Sequence, residues 1–155
     1  MVTVGDDAPE FTAPLVSDET STVGLSEALA DGPVVLAFFP FAFTGTCSHE
    51  MSTFQDRLAA LTDHGATLYG VSIDTPPSLA EFRDQLGLEF GLLSDTNREL
   101  VRAYNVAIDH DALGIDDMAN RAVFVIDETG TVTYVWVADN PGQEPDYDEV
   151  EAALD

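Results

Sequence analysis

Residues 34–39 form an unbroken apolar run, opened by Gly32-Pro33 and closed by Pro40. That is the pattern of a strand buried on both faces of a sheet. After Cys47 the period changes: Met51, Phe54, Leu58 and Leu61 step by three or four, which predicts one amphipathic helix stopped at Gly65. Residues 67–73 return to strand character. Strand, helix and strand of these lengths make a βαβ unit with parallel strands and a right-handed crossover. Pro77 opens a second helix, with Leu79, Phe82 and Leu86 on one face and Gly87 at its end. A short strand near Leu92 and Leu93 follows, then a helix through Leu100, Val101 and Tyr104. Residues 122–126 and 131–137 flank the turn 127–130 as an antiparallel hairpin. Residues 148–154 predict a short final helix and residues 11–16 an edge strand. Residues 105–120, carrying Asp109, Asp111, Asp116 and Asp117 without a clear period, read as an irregular acidic loop. No repeat or linker interrupts the pattern, so residues 1–155 read as one α/β domain, a central mixed sheet flanked by helices.

Composition changes this picture in one respect. Apolar residues make up 45% of the chain, enough for a substantial core, but 29 Asp and Glu face 5 cations, a net charge of −24. All the cations are arginine: Arg57, Arg83, Arg98, Arg102 and Arg121. Nucleic acid and anionic membranes would repel such a chain. The carboxylates are dispersed, never more than two in a row, and lysine is absent. This predicts a halophile's salt-rich cytoplasm, where screening relieves self-repulsion, rather than an acidic interaction tail. The N-terminus lacks the basic and apolar regions of a signal peptide, and no apolar run approaches the ~20 residues that span a bilayer. A soluble, cytoplasmic protein is the expectation.

Cys47, the only cysteine, stands where the helical pattern begins. Unpaired N–H groups and the helix dipole favour negative charge there, and the thiolate is the reactive form of cysteine. One cysteine cannot close an internal disulfide. No metal or cofactor is expected: His49, His64 and His110 lack ligand spacing, one thiol is too few for structural zinc, and no phosphate-binding glycine loop is present.

Pro40-x-x-x-Thr44-x-x-Cys47, set between a buried strand and a helix, resembles the active-site signature of the peroxiredoxins. Arg121-Ala122-Val123-Phe124-Val125-Ile126-Asp127 resembles the arginine-bearing strand of that family, and Gly5-x-x-Ala8-Pro9-Glu10-Phe11 its opening. The stretch 38–47 is most like the one-cysteine, alkyl hydroperoxide reductase E-like branch. The resemblance implies a thioredoxin-like fold with an N-terminal strand extension and, by family habit, a homodimer. It implies reduction of hydrogen peroxide and organic hydroperoxides by Cys47, which becomes a sulfenic acid.

Each residue also has its own physical reading. Thr44 can accept one hydrogen bond while donating another; the resemblance places its hydroxyl on the thiolate and the peroxide, and its position also suits an N-cap. Pro40 ends the strand and, by resemblance, shields the thiolate from water. Arg121 sits at the mouth of an apolar strand, where a buried charge needs a partner; a thiolate and a polarised peroxide would supply it. Glu50, one turn after Cys47, would oppose thiolate formation unless an arginine holds it, and is given an orienting role. His49 points elsewhere and reads as solvated. Arg98 and Arg102 read as surface charges. Phe38 and Phe39 belong to the buried strand, and core packing is the default for Phe41 and Phe43, with an apolar approach or a dimer contact as the alternatives.

The sequence therefore predicts a thiol-dependent peroxidase recycled by an external thiol or redoxin. A dithiol oxidoreductase fails, because the position three after Cys47 is Glu50. A peroxide sensor or holdase would use the same thiol without efficient turnover, and a purely structural module would leave it inert.

Overall fold

The computed structural model describes residues 1–155. The strands are β1 (Thr12–Val16), β2 (Thr20–Gly24), β3 (Val34–Phe38), β4 (Thr67–Ser72), β5 (Gly91–Ser94), β6 (Ala107–His110), β7 (Ile115–Ala119), β8 (Ala122–Ile126) and β9 (Val132–Val137). The helices are α1 (Leu25–Leu29), α2 (Gly45–Asp56), α3 (Leu58–Asp63), α4 (Pro76–Leu86), α5 (Glu99–Ala103) and α6 (Tyr147–Ala152).

Seven strands form one sheet in the order β2-β1-β5-β4-β3-β8-β9, and β6 and β7 form a separate hairpin. The central β5, β4 and β3 are parallel, and every other pairing is antiparallel. The unbroken apolar run sits where it must: β3 lies between β4 and β8 with all five residues buried. Successive side chains alternate faces, so Val34, Leu36 and Phe38 enter one core while Val35 and Ala37 enter the other. Helices α1 and α5 cover the first core with Leu25, Ala28, Leu100 and Val101. Helices α2, α3, α4 and α6 cover the second with Met51, Phe54, Leu61, Leu79, Phe82 and Val150.

Gly70 on β4 sets how closely α2 approaches the sheet. A Cβ there would stand 2.7 Å from Leu92 Cδ2 and 3.1 Å from Met51 Sδ. Both side-chain tips would have to give way to admit it.

Four predicted details change. The helix after Cys47 begins two residues before it and is broken at Arg57, whose φ and ψ are −102° and 2°. The break coincides with a clamp: Arg57 Nη1 donates to Asp148 at 2.7 Å and to Glu151 at 3.0 Å, tying the joint to α6. The 11–16 strand is not the edge, because β2 pairs outside it; the threonines and serine of β2 blur its alternation. The last helix starts at Tyr147, with the Asp146 carboxylate accepting from the N–H groups of Asp148 and Glu149. The supposed acidic loop 105–120 holds the hairpin β6–β7, closed by a short 3₁₀ turn at Asp111–Leu113 and by Gly114 at φ 66°. A register shift between Ile108 and His110 disguises its period.

Candidate active site

The register of the sheet builds the site. Phe38 ends β3 opposite Ala122, which begins β8, so the chain leaving β3 and the residue preceding β8 emerge at the same end. The first leads through Pro40 into α2, and the second is Arg121. The loop between is fixed by Asp74, just past β4, whose Oδ2 accepts from Ala42 N–H at 2.8 Å and from the Ser72 hydroxyl at 2.6 Å. Phe43 turns the chain with a left-handed φ of 71°, an uncommon conformation for a residue bearing a Cβ.

Thr44 occupies the N-cap position of α2, but its side chain caps nothing. Its hydroxyl donates to Phe41 O at 3.0 Å instead. The expected cap bond is absent, and the first-turn N–H groups keep their capacity to donate. Cys47 is the third residue of α2 and only 1% exposed.

Arg121 is equally buried, at 1%, and its guanidinium gathers the site. Nη2 donates to Cys47 Sγ at 3.3 Å, and Nη1 donates to Glu50 Oε1 at 2.7 Å. Nε and Nη2 both donate to Pro141 O, at 3.1 and 2.7 Å. Burial alone would push Arg121 down, but the negative ends of Glu50 and Cys47 outweigh it and hold the guanidinium above its ordinary range. Complete burial pushes the Glu50 carboxyl up to about 8 despite Arg121 beside it, and its Oε2 has no partner. Glu50 Oε1 thus orients the guanidinium from behind, while Nη2 remains on the sulfur.

A cavity of about 300 Å³ opens onto this group. Pro40, Thr44, Cys47 and Arg121 all line it, so the sequence-predicted residues meet at one place. Glu50 lies behind, reached through Arg121. Phe41 lines the cavity and is only half-buried. Phe43 is not core: it is 52% exposed and packs edge-on against Phe82, with ring centroids 5.4 Å apart.

Other expectations are modified. His49 is largely exposed, yet its Nδ1 lies 2.7 Å from Glu144 Oε1, and the same oxygen accepts from Tyr147 OH at 2.6 Å. Arg102 pairs with Asp117 at 2.8 Å and Arg98 Nε donates to Asp116 O at 3.0 Å, so both fasten α5 to β7 rather than standing free. Sequence reasoning missed Asp74, the Pro141 carbonyl, and the hairpin residues His110 and Met118 in the cavity wall. Asn140-Pro141-Gly142 carries a turn signal, but nothing local says what that turn packs against.

Comparison with known proteins covers most of the chain. The AhpC/TSA family profile matches residues 4–135. Alkyl hydroperoxide reductase E of Mycobacterium bovis is 32% identical over 148 residues, 94% of this chain and 92% of the relative. The chloroplastic 2-cysteine peroxiredoxin of Chattonella marina var. antiqua is 36% identical over 141 residues, 86% of this chain and 69% of the relative. The crystal structure of peroxidoxin BcpB from Mycobacterium tuberculosis superposes with a TM-score of 0.87 at 28% identity, covering 99% of this chain and 97% of that one.

Proposed function

The chain belongs to the AhpC/TSA family, thioredoxin-fold thiol-dependent peroxidases, and from that premise we propose that Cys47 is the residue that reduces the hydroperoxide. The observation that carries this reading is the Arg121 Nη2 donor 3.3 Å from Cys47 Sγ, both residues buried yet lining an open cavity. The thiolate, the reactive form of the cysteine, has a fixed positive charge beside it there. Its lone pair attacks the terminal peroxide oxygen, an S–O bond forms, the O–O bond breaks, and water or an alcohol departs. The products are Cys47 sulfenic acid and a reduced peroxide.

Each neighbour has a part. Arg121 stabilises the thiolate and the charge spreading over the two oxygens. The Thr44 hydroxyl, satisfied as a donor by Phe41 O, keeps an acceptor lone pair for the peroxide proton. Pro40 contributes a ring without an N–H and keeps water from the sulfur. Glu50 and the Pro141 carbonyl hold the guanidinium in place.

With one cysteine in the chain, the sulfenic acid is returned to thiol by an external low-molecular-weight thiol or a redoxin. Two features of one sheet, a core on either face, support residues 1–155 working as a single domain. Exposed Phe43 beside the cavity supports a homodimer contact at this end, measurable by sedimentation. The dispersed acidity supports a salt-rich cytoplasm, and no helix is long and apolar enough to cross a membrane. A sensor without turnover is not favoured by the relatives.

The test is intact mass after one equivalent of hydrogen peroxide, in molar potassium chloride, followed by turnover with added thiol. One oxygen gained at Cys47, and none in Cys47→Ser, is the expected result. A folded, reduced protein that gains no oxygen would refute the assignment.

A further inference from the structure

The cavity has a second wall that the reaction described above does not use. The hairpin β6–β7 brings His110, Leu113 and Met118 to the side facing Cys47, Thr44 and Arg121. Its placement is built in: Arg98 and Arg102 grip Asp116 O and the Asp117 carboxylate, and Asp109 Oδ1 accepts from Asp117 N–H at 3.0 Å. Leu113 is 59% exposed at the tip.

The tautomer of His110 follows from one bond. Its Nδ1 accepts from Leu113 N–H at 3.3 Å, closing the 3₁₀ turn. An accepting Nδ1 carries no hydrogen, so the neutral ring carries its proton on Nε2. With Nδ1 turned to the backbone, Nε2–H is the donor left to His110, whose fellow hairpin residues lining the cavity are Leu113 and Met118. The Arg121 donors, by contrast, are mostly committed to Glu50, Cys47 and Pro141.

Resting on the peroxidase reading above, we propose that His110 Nε2–H donates a hydrogen bond to the oxygen that leaves an organic hydroperoxide. The Cys47 thiolate bonds to the terminal oxygen, and the O–O bond breaks. The electron pair goes to the oxygen attached to the organic group, which departs as an alkoxide and takes a proton from water. Sulfur is oxidised from thiolate to sulfenic acid and the hydroperoxide is reduced to alcohol. The terminal oxygen is held on the inner wall, and the departing one faces the hairpin. A donor aimed at charge that develops only as the bond breaks speeds that step. Its worth rises with the basicity of the leaving oxygen.

That dependence is the test. Rate constants for oxygen gain at Cys47 are measured by quenched-flow intact mass with tert-butyl hydroperoxide, a poor leaving group, and peracetic acid, a good one. In His110→Ala and His110→Phe, neither of which has a ring donor, the ratio of the two rate constants falls about tenfold, the effect of one charge-assisted hydrogen bond. His110→Gln, which restores an N–H, recovers most of the ratio. If one donorless variant does not fold, the other carries the comparison. A ratio equal to that of the unmodified protein, or a glutamine variant no better than alanine, overturns the proposal while the peroxidase reading stands. Unmodified protein that gains no oxygen from either peroxide overturns both.

Discussion

The two faces of the sheet bury cores of nearly equal size, 20 and 19 residues, but they are made differently. The face under α1 and α5 is an aromatic cluster in which Tyr104 stands 5.7 Å from Phe38 and 5.1 Å from Phe124, centroid to centroid. Its buried hydroxyl is satisfied, Tyr104 OH donating to Pro9 O at 2.7 Å. The face under α2 holds Cys47, borders on a buried arginine, and leaves Glu50 Oε2 without a partner. Buried polar groups are costly when unsatisfied, so the second face gives up stability that the first supplies. Holding shape and holding a reactive charge are thus assigned to opposite sides of one strand, β3.

That division can be broken from either side. Cys47→Ser has the largest effect: all oxygen gain on intact mass disappears, with the unfolding midpoint nearly unmoved. Phe124→Ala acts on the other face, costing about 3–5 kcal/mol by the cavity it opens; denaturant melts detect it, while the folded fraction keeps its rate of oxidation. Arg121→Ala slows oxidation by about a hundredfold in the quenched-flow assay.

Glu50→Gln sharpens the comparison through pH. An unfolded Glu50 ionises near 4.5, whereas burial holds the folded carboxyl at about 8. Between those values the folded protein keeps a proton that the unfolded chain has lost. Its contribution to stability is therefore full below about 4.5, falls as pH rises, and is lost above about 8. The glutamine variant removes that part of the slope, seen as a flatter dependence of the denaturation midpoint on pH. The smallest expected effect is Tyr104→Phe, a loss of about 1 kcal/mol for one hydrogen bond, with no change in oxidation rate.

Much of this division was legible in the chain. The run 34–39 located the central strand because burial on both faces leaves no polar residue to interrupt it. Cys47, Thr44, Pro40 and Arg121 could be assembled because a motif with a known strand-to-helix context carried them, and Glu50 because a carboxylate one turn from a thiol demands a cation. The hairpin β6–β7 was hidden because its four aspartates mask alternation, and their partners, Arg98 and Arg102, lie on a helix that sequence spacing cannot place beside it. The Arg57 break was hidden because apolar spacing continues across it. Asp74 and the Pro141 carbonyl were invisible for a plainer reason: a backbone N–H or C=O leaves no mark in the residue alphabet.

Gly70 gives α2 a foundation with no thickness to spare. Met51 rests on that bare backbone one turn beyond Cys47, so the height of the thiol above the sheet is fixed from below. A single methyl group at position 70 would act as a shim, pressing first on the tip of Leu92 and then on the Met51 sulfur that seats the helix. The seat of the nucleophile thus depends on a residue outside the cavity, beneath the same face of the helix that carries the thiol.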